Sequence, residues 1–159
     1  MKVSIIVNSN LKLNKLSYET FSVDSSDNSS DSVEVIPEEQ NCNVSAKIAE
    51  SKVKVGDFLL LFDIKITGKY KEEITRDFYM DIFYGYSIED IHKLKLNNEE
   101  KKYVELNIFN YYQKKIEEII KFNTSIGQVE ALTIKDNIDA VQKEIDQFAT
   151  KREVLFIES

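Results

Sequence analysis

The sequence holds one cysteine, one histidine, one proline, four glycines and no tryptophan in 159 residues. The lone Cys42 cannot close an intrachain disulfide, so stability has to come from a core. A chain of this length forms one domain, 1–159, and typically buries about two-thirds of the surface its unfolded form exposes, which suffices without a bridge or structural metal. With His92 as the sole imidazole and Cys42 as the sole thiol, zinc-finger spacings and nucleophile triads built around several histidines are excluded. The glycines, Gly56, Gly68, Gly85 and Gly127, are isolated, and each fits a turn or an element end. No Gly-rich phosphate loop exists, and nucleotide binding has no support.

Long apolar runs are missing too. Charges interrupt even Phe58–Ile66, and no segment approaches the roughly 18 apolar residues of a membrane span. The apolar start, Met1 to Asn8, is far too short for a signal-peptide core and no cleavage motif follows it, so the chain reads as cytoplasmic and its Asn-x-Ser/Thr triplets carry no meaning. Positive charge is scarce: 21 Lys and Arg face 28 Asp and Glu, for a net charge of −7. Such a chain repels phosphate backbones, which argues against nucleic acid as a partner.

The negative charge is concentrated. Between Ser22 and Asn41 lie Asp24, Asp27, Asp31, Glu34, Glu38 and Glu39 with no Lys or Arg. This Ser/Asp-rich stretch, 22–41, reads as a solvated loop. Its Asp-x-x-Asp-x-x-x-Asp spacing lacks the alternate ligands, glycine and terminal Glu of a calcium loop, so no metal is expected.

On either side of this loop the apolar period is two. Leu11 and Leu13, then Leu16 and Tyr18, are alternating pairs whose phase slips by one residue, as a bulge in a long strand would cause. Val44, Ala46 and Ile48 form a second run, and Gly56-Asp57 marks a hairpin turn. In the third run Phe58, Leu60, Phe62, Ile64 and Ile66 share a face, with Asp63, Lys65 and Thr67 opposite, ending at Gly68. After a turn over Lys69–Glu73, the fourth run puts Phe78, Met80, Ile82, Tyr84 and Tyr86 on one face and Tyr79, Asp81 and Phe83 on the other. Four strands in an antiparallel meander follow from these spacings.

From Ser87 the period becomes 3.6. Ser87-Ile88-Glu89-Asp90 resembles a capping box that opens a short helical turn or two through His92. Asn98 is placed to cap a long amphipathic helix to Lys121, with Glu99 and Glu100 in its first turn. Its stripe, Leu106, Phe109, Tyr112, Ile116 and Ile119, is broad enough to lie on the sheet or against a second copy. Asn123–Gly127 ends it, and Asp136 begins a shorter helix with Ile138, Val141, Ile145 and Phe148 on one face. The tail, 149–159, is apolar at Val154–Ile157 and reads as a short strand or a docked end. The fold class is α+β: an antiparallel four-stranded sheet with the long helix and the shorter C-terminal helix packed on one side.

Chemistry finds few footholds here. His92 beside Asp90 and Glu89 could form a carboxylate-held base, but no second histidine or nucleophile accompanies it, and a surface histidine is the simpler reading. Asp77 and Asp81 lie roughly 13 Å apart by strand rise, too far to share a proton. No catalytic residue and no cofactor is assigned, and the chain is not read as an enzyme. The aromatics, eight Tyr and nine Phe, say more, because both faces of the fourth run carry large apolar groups. One face can be the core; the other needs a subunit partner or a client, unless the strand is buried on both sides within a monomer.

The order of elements resembles the SecB-type export chaperone family over about Val3 to Phe148. The residues that carry the resemblance are Leu11-Lys12-Leu13-Asn14-Lys15-Leu16-Ser17-Tyr18-Glu19, the paired runs Phe58–Ile66 and Phe78–Tyr86, and the helix Leu106–Ile120 with its Phe109-Asn110-Tyr111-Tyr112 start. The resemblance implies a homo-oligomer, a dimer or a tetramer built as a dimer of dimers, with sheets pairing at edges. It also implies an ATP-independent holdase that binds unfolded or nascent polypeptides in apolar grooves for protein export. Candidate groove or interface residues are Phe58, Leu60 and Phe62 on the third run, Phe78, Met80, Phe83 and Tyr84 on the fourth, and Tyr112 on the helix. Export members of that family dock on the ATPase SecA through a C-terminal tail, and residues 149–159 do not match that tail. A dedicated partner-binding protein of the same fold, such as the chaperone of a toxin–antitoxin pair, is the alternative.

Overall fold

A computed structural model describes residues 2–8, 11–22, 38–125, 130–149 and 152–159. Asp24, Asp27, Asp31 and Glu34 of the acidic stretch, and Gly127, lie outside the described residues. In chain order the elements are β1 (Lys2–Val7), β2 (Lys12–Thr20), β3 (Glu39–Glu50), β4 (Asp57–Tyr70), β5 (Glu73–Ile88), α1 (Asn98–Thr124), α2 (Lys135–Gln147) and β6 (Glu153–Glu158). No helix among the described residues is long and apolar enough to cross a membrane.

The sheet has six strands rather than four. Its order is β3-β4-β5-β1-β6, with β2 also paired to β5. The meander β3-β4-β5 is antiparallel throughout. The free edge of β5 is shared by β1 at one end and β2 at the other, both antiparallel. The phase slip between Leu13 and Leu16 is a real bulge: the β2 register shifts between Leu13 and Lys15. The apolar start of the chain forms β1, and the tail becomes β6, parallel to β1.

Strict alternation sends one face inward. Across the strands Cys42, Ile66, Phe78 and Tyr18 form one row, Val44, Ile64, Met80 and Leu16 the next, and Ala46, Phe62 and Ile82 a third. Over them lies α1, which contributes Val104, Ile108, Tyr112, Ile116 and Ile120, each at most 3% exposed. Burying each large apolar side chain of this kind contributes about 1.5–3 kcal/mol, so this single layer supplies the driving force for the fold.

The cap of α1 is Asn97, one residue before the expected Asn98. Asn97 accepts from Glu100 N–H at 2.8 Å while Glu100 accepts from Asn97 N–H at 3.0 Å, a reciprocal capping box. The short helix expected after Ser87 is absent: β5 runs on to Ile88, and residues from Asp90 to Leu94 form hydrogen-bonded turns instead. Asp90 adopts φ 50°, which helix cannot continue from. Gly68 and Gly85 also depart from expectation, since both lie inside strands. The β4–β5 hairpin closes at Lys71-Glu72, three residues past Gly68 and within the expected turn over Lys69–Glu73, and both residues have positive φ.

Candidate functional site

Most of the residues singled out from the alternating pattern lie in the core. Leu60, Phe62, Phe78 and Met80 are fully buried, and Tyr84 and Tyr112 nearly so. Tyr84 and Tyr112 hold each other with ring centroids 4.5 Å apart. Burial pushes the Tyr84 phenol up to about 12 and raises Tyr112 as well. Phe58 is half-buried at the end of β4, stacked on Tyr86 at 5.2 Å. Phe83 points to the opposite face, also half-buried.

That opposite face has no helix over it among the described residues. Its rows follow from register: Ala49, Leu59 and Gly85; then Lys47, Leu61, Phe83 and Lys12; then Ser45, Asp63, Asp81 and Lys15; then Asn43, Lys65, Tyr79 and Ser17. The first two rows are apolar at their centre. Leu59 is 44% exposed and Leu61 37%. At this end a hollow of about 500 Å³ opens among Ile6, Ala49, Leu59, Gly85 and Ser87, beside the β3–β4 turn. A Cβ at Gly85 would meet only the Asn8 Cβ, in ordinary contact at 4.0 Å, so the floor of the hollow is backbone.

The other half of the face is polar and mutually engaged. Asp63 and Asp81 stand opposite each other on β4 and β5. Two such like charges repel, and each has a neutral donor: Tyr79 hydroxyl donates to Asp63 at 2.9 Å, and the amide of Asn14 donates to Asp81 at 2.9 Å. The extra residue of the β2 bulge is thus what brings Asn14 onto Asp81. The Asp63 carboxylate holds the Tyr79 phenol above its ordinary value. Lys15 lies 5.4 Å from the Tyr79 ring and Lys12 5.8 Å from the Phe83 ring, so the apolar band is edged by cations.

The histidine constellation does not assemble. Asp90 pairs with Lys93 at 3.1 Å, and His92 is exposed in the turn beyond β5. The Cys42 thiol, half-buried beneath Asn137, is pushed up to about 11 by burial and by the carboxylate of Glu117, which makes it a poor nucleophile.

Leu59 and Leu61, the most exposed apolar groups of β4, were not singled out by alternation. Their signal is the unbroken Leu59-Leu60-Leu61, where a one-sided strand would have alternated. Ile6 on β1 and Ile157 on β6 are invisible to a local pattern, because only strand order brings them to this end of the sheet.

No protein-family model and no curated protein matches the chain. Among solved structures it is similar to the SecB-like chaperone Rv1957 of Mycobacterium tuberculosis, solved in complex with a ChAD peptide from the Rv1956 HigA1 antitoxin. The TM-score is 0.59 at 7% sequence identity, over 82% of this chain and 88% of that one. Six strands with two helices on one face, laid out in that order, give this chain a SecB-like fold.

Proposed function

We propose that the chain is a chaperone that holds a polypeptide partner without nucleotide or chemistry. The observation that carries this reading is the uncovered apolar end of the sheet, where Leu59, Leu61 and Phe83 stand beside the hollow at Gly85. Apolar surface of this kind, edged by lysines, suits extended segments that bind through many small contacts. Of the eight candidate residues, Phe83 stands on the uncovered face and Phe58 lines the hollow. Leu60, Phe62, Phe78 and Met80 are buried and shape the sheet beneath, and Tyr84 and Tyr112 pack between the sheet and α1.

Two partner classes fit. A general holdase in protein export would take many unfolded or nascent clients and would hand them to SecA. A dedicated chaperone would take one partner, such as an antitoxin, and this reading is favoured by the antitoxin peptide in the complex of the similar structure. Self-association into a dimer or tetramer belongs to the same proposal. The β3 strand, 12 residues long and regularly paired to β4, has no strand on its other edge among the described residues, which suits edge-to-edge pairing.

The test is light scattering of two unrelated unfolded proteins, with a few-fold molar excess of this chain and no nucleotide. Suppression of both supports the general holdase. Suppression of neither, with selective capture of one co-encoded protein, supports the dedicated chaperone. Failure of both would overturn the proposal.

A further inference from the structure

The seat of β6 is built from two elements and is specific in its chemistry. Its backbone runs parallel to β1, in register from Lys2 with Glu153 to Val7 with Glu158. On the helix side, Phe156 stacks on Tyr111 with ring centroids 4.1 Å apart and planes at 7°. Two residues on, the Glu158 carboxylate accepts from the Tyr111 hydroxyl at 2.8 Å and from Lys115 at 2.5 Å. Val154, two residues before, packs against the core. The seat therefore reads an apolar residue, an aromatic and an acid at alternate positions of an extended strand.

The strand is anchored at its start by the Arg152–Glu100 ion pair at 3.0 Å and at its end by the Ser159 N–H on the Val7 carbonyl, while its own side chains are only partly covered. None of its six residues is fully buried, and the Lys115–Glu158 pair is itself exposed, with side chains 40% and 64% accessible. Exposed pairs contribute little. At the Val7–Glu158 end lies a cavity of about 450 Å³ among Leu11, Tyr84, Tyr111, Tyr112 and Ile119. From β6 only Glu158 reaches it.

We propose that the groove between the β1 edge and α1 is a strand-addition site for a partner polypeptide, and that β6 fills it in cis. The partner is an extended segment with apolar, aromatic and acidic residues at alternate positions, followed two residues later by an apolar residue for the tyrosine-lined cavity. Main-chain pairing to β1 supplies affinity, and Tyr111, Lys115 and the cavity supply selection. This deepens the partner-binding reading and rests on it. Because the seat is competent only when β6 leaves, apparent affinity is reduced by the fraction of time it is closed.

The test uses a fluorescent peptide, Arg-Glu-Val-Leu-Phe-Ile-Glu-Ser-Leu, followed by anisotropy against the full chain. Phe156→Ala with Glu158→Gln, both in the cis strand, should bind it at least about tenfold tighter than wild type. Adding Lys115→Ala on α1 should remove most of that gain. Amide exchange of β6 in the same samples reports whether the seat has opened, and Phe156→Asp, which sets a charge against Tyr111, is the stronger opener. An opened seat that does not bind the peptide overturns the proposal. So do β6 amides that stay protected in both variants, since the strand would then be fixed core structure. Aggregation suppression without peptide binding would remove this site and leave the holdase reading; peptide binding without suppression or partner capture would remove that reading.

Discussion

Arg76 and Glu38 form a two-pronged ion pair under the end of the sheet: Arg76 Nη2 donates to Glu38 Oε1 at 2.6 Å and Nε to Oε2 at 2.9 Å. Their side chains are 5% and 14% exposed. Thr75 also donates to Glu38, at 2.6 Å, and the remaining guanidinium nitrogen of Arg76, Nη1, donates to the Glu130 carbonyl at 2.7 Å. The pair thus ties β5 to the start of β3 and to the segment before α2. Burial pushes the Glu38 carboxyl up, but the Arg76 and Thr75 hydrogen bonds outweigh it and leave the group below the ordinary carboxylate range.

Gly68 makes this geometry possible, because it pairs with Arg76 in the register and a Cβ there would overlap the Glu38 carboxylate. Gly68→Ala should cost about 1–3 kcal/mol in urea unfolding by forcing the carboxylate aside. Glu38→Gln, which leaves Arg76 buried without its counter-charge, should cost about 3 kcal/mol. Equal stability of all three proteins would show that the pair is not structural.

Acid should reveal the same pair. The unfolded Glu38 titrates near 4.5 and the folded one lower, so the stabilisation is complete above 4.5 and is lost as pH falls through the folded value. Urea midpoints measured from about pH 6 down to about pH 3 should fall more steeply for wild type than for Glu38→Gln. Parallel curves would remove the linkage.

At the alkaline end the sign reverses. Burial raises Tyr84, Tyr86 and Tyr112 from an ordinary value of 10.0, so their contribution is full below that value and is lost as pH rises toward the folded one. Tyrosinate absorbance should show three of the eight tyrosines ionising only together with loss of far-UV ellipticity. A single reversible titration of all eight in the folded chain would contradict the Tyr84–Tyr112 packing.

The β4–β5 turn offers a stabilising change. Lys71 and Glu72 sit at φ 47° and 66°, where side chains with a Cβ are strained. Replacing them with Asn and Gly, the pair that this two-residue turn favours, should raise stability by about 1 kcal/mol. A lower urea midpoint would mean that the turn residues make contacts of their own.

The two faces of the sheet should respond differently. Ile108→Ala, beneath α1, should cost about 2–5 kcal/mol through its cavity. Leu61→Ser on the open face should change stability by no more than about 0.5 kcal/mol while weakening polypeptide capture. Capture that survives Leu61→Ser and Phe83→Ser together would move the proposed surface elsewhere.

By itself the sequence determined the class of elements. Alternation over Phe58–Ile66 and Phe78–Tyr86, the phase slip before Leu16, and the 3.6 period from Leu106 to Ile120 are local signals, because each follows from which side chains must share a face. The same signals put Leu60, Phe62, Phe78 and Met80 together, yet could not say whether that face met a helix of this chain or a partner. Tertiary structure decided that: α1 covers it, and Phe83 is left outside with Leu59 and Leu61. It also decided where the ends of the chain go, since β6 beside β1 depends on contacts between residues such as Ile5 and Phe156, far apart in sequence. Gly68 shows the same division, because its role is set not by its neighbours in sequence but by a carboxylate thirty residues earlier that needs its missing side chain. Local periodicity fixes which groups point the same way; only long-range packing decides what lies opposite them.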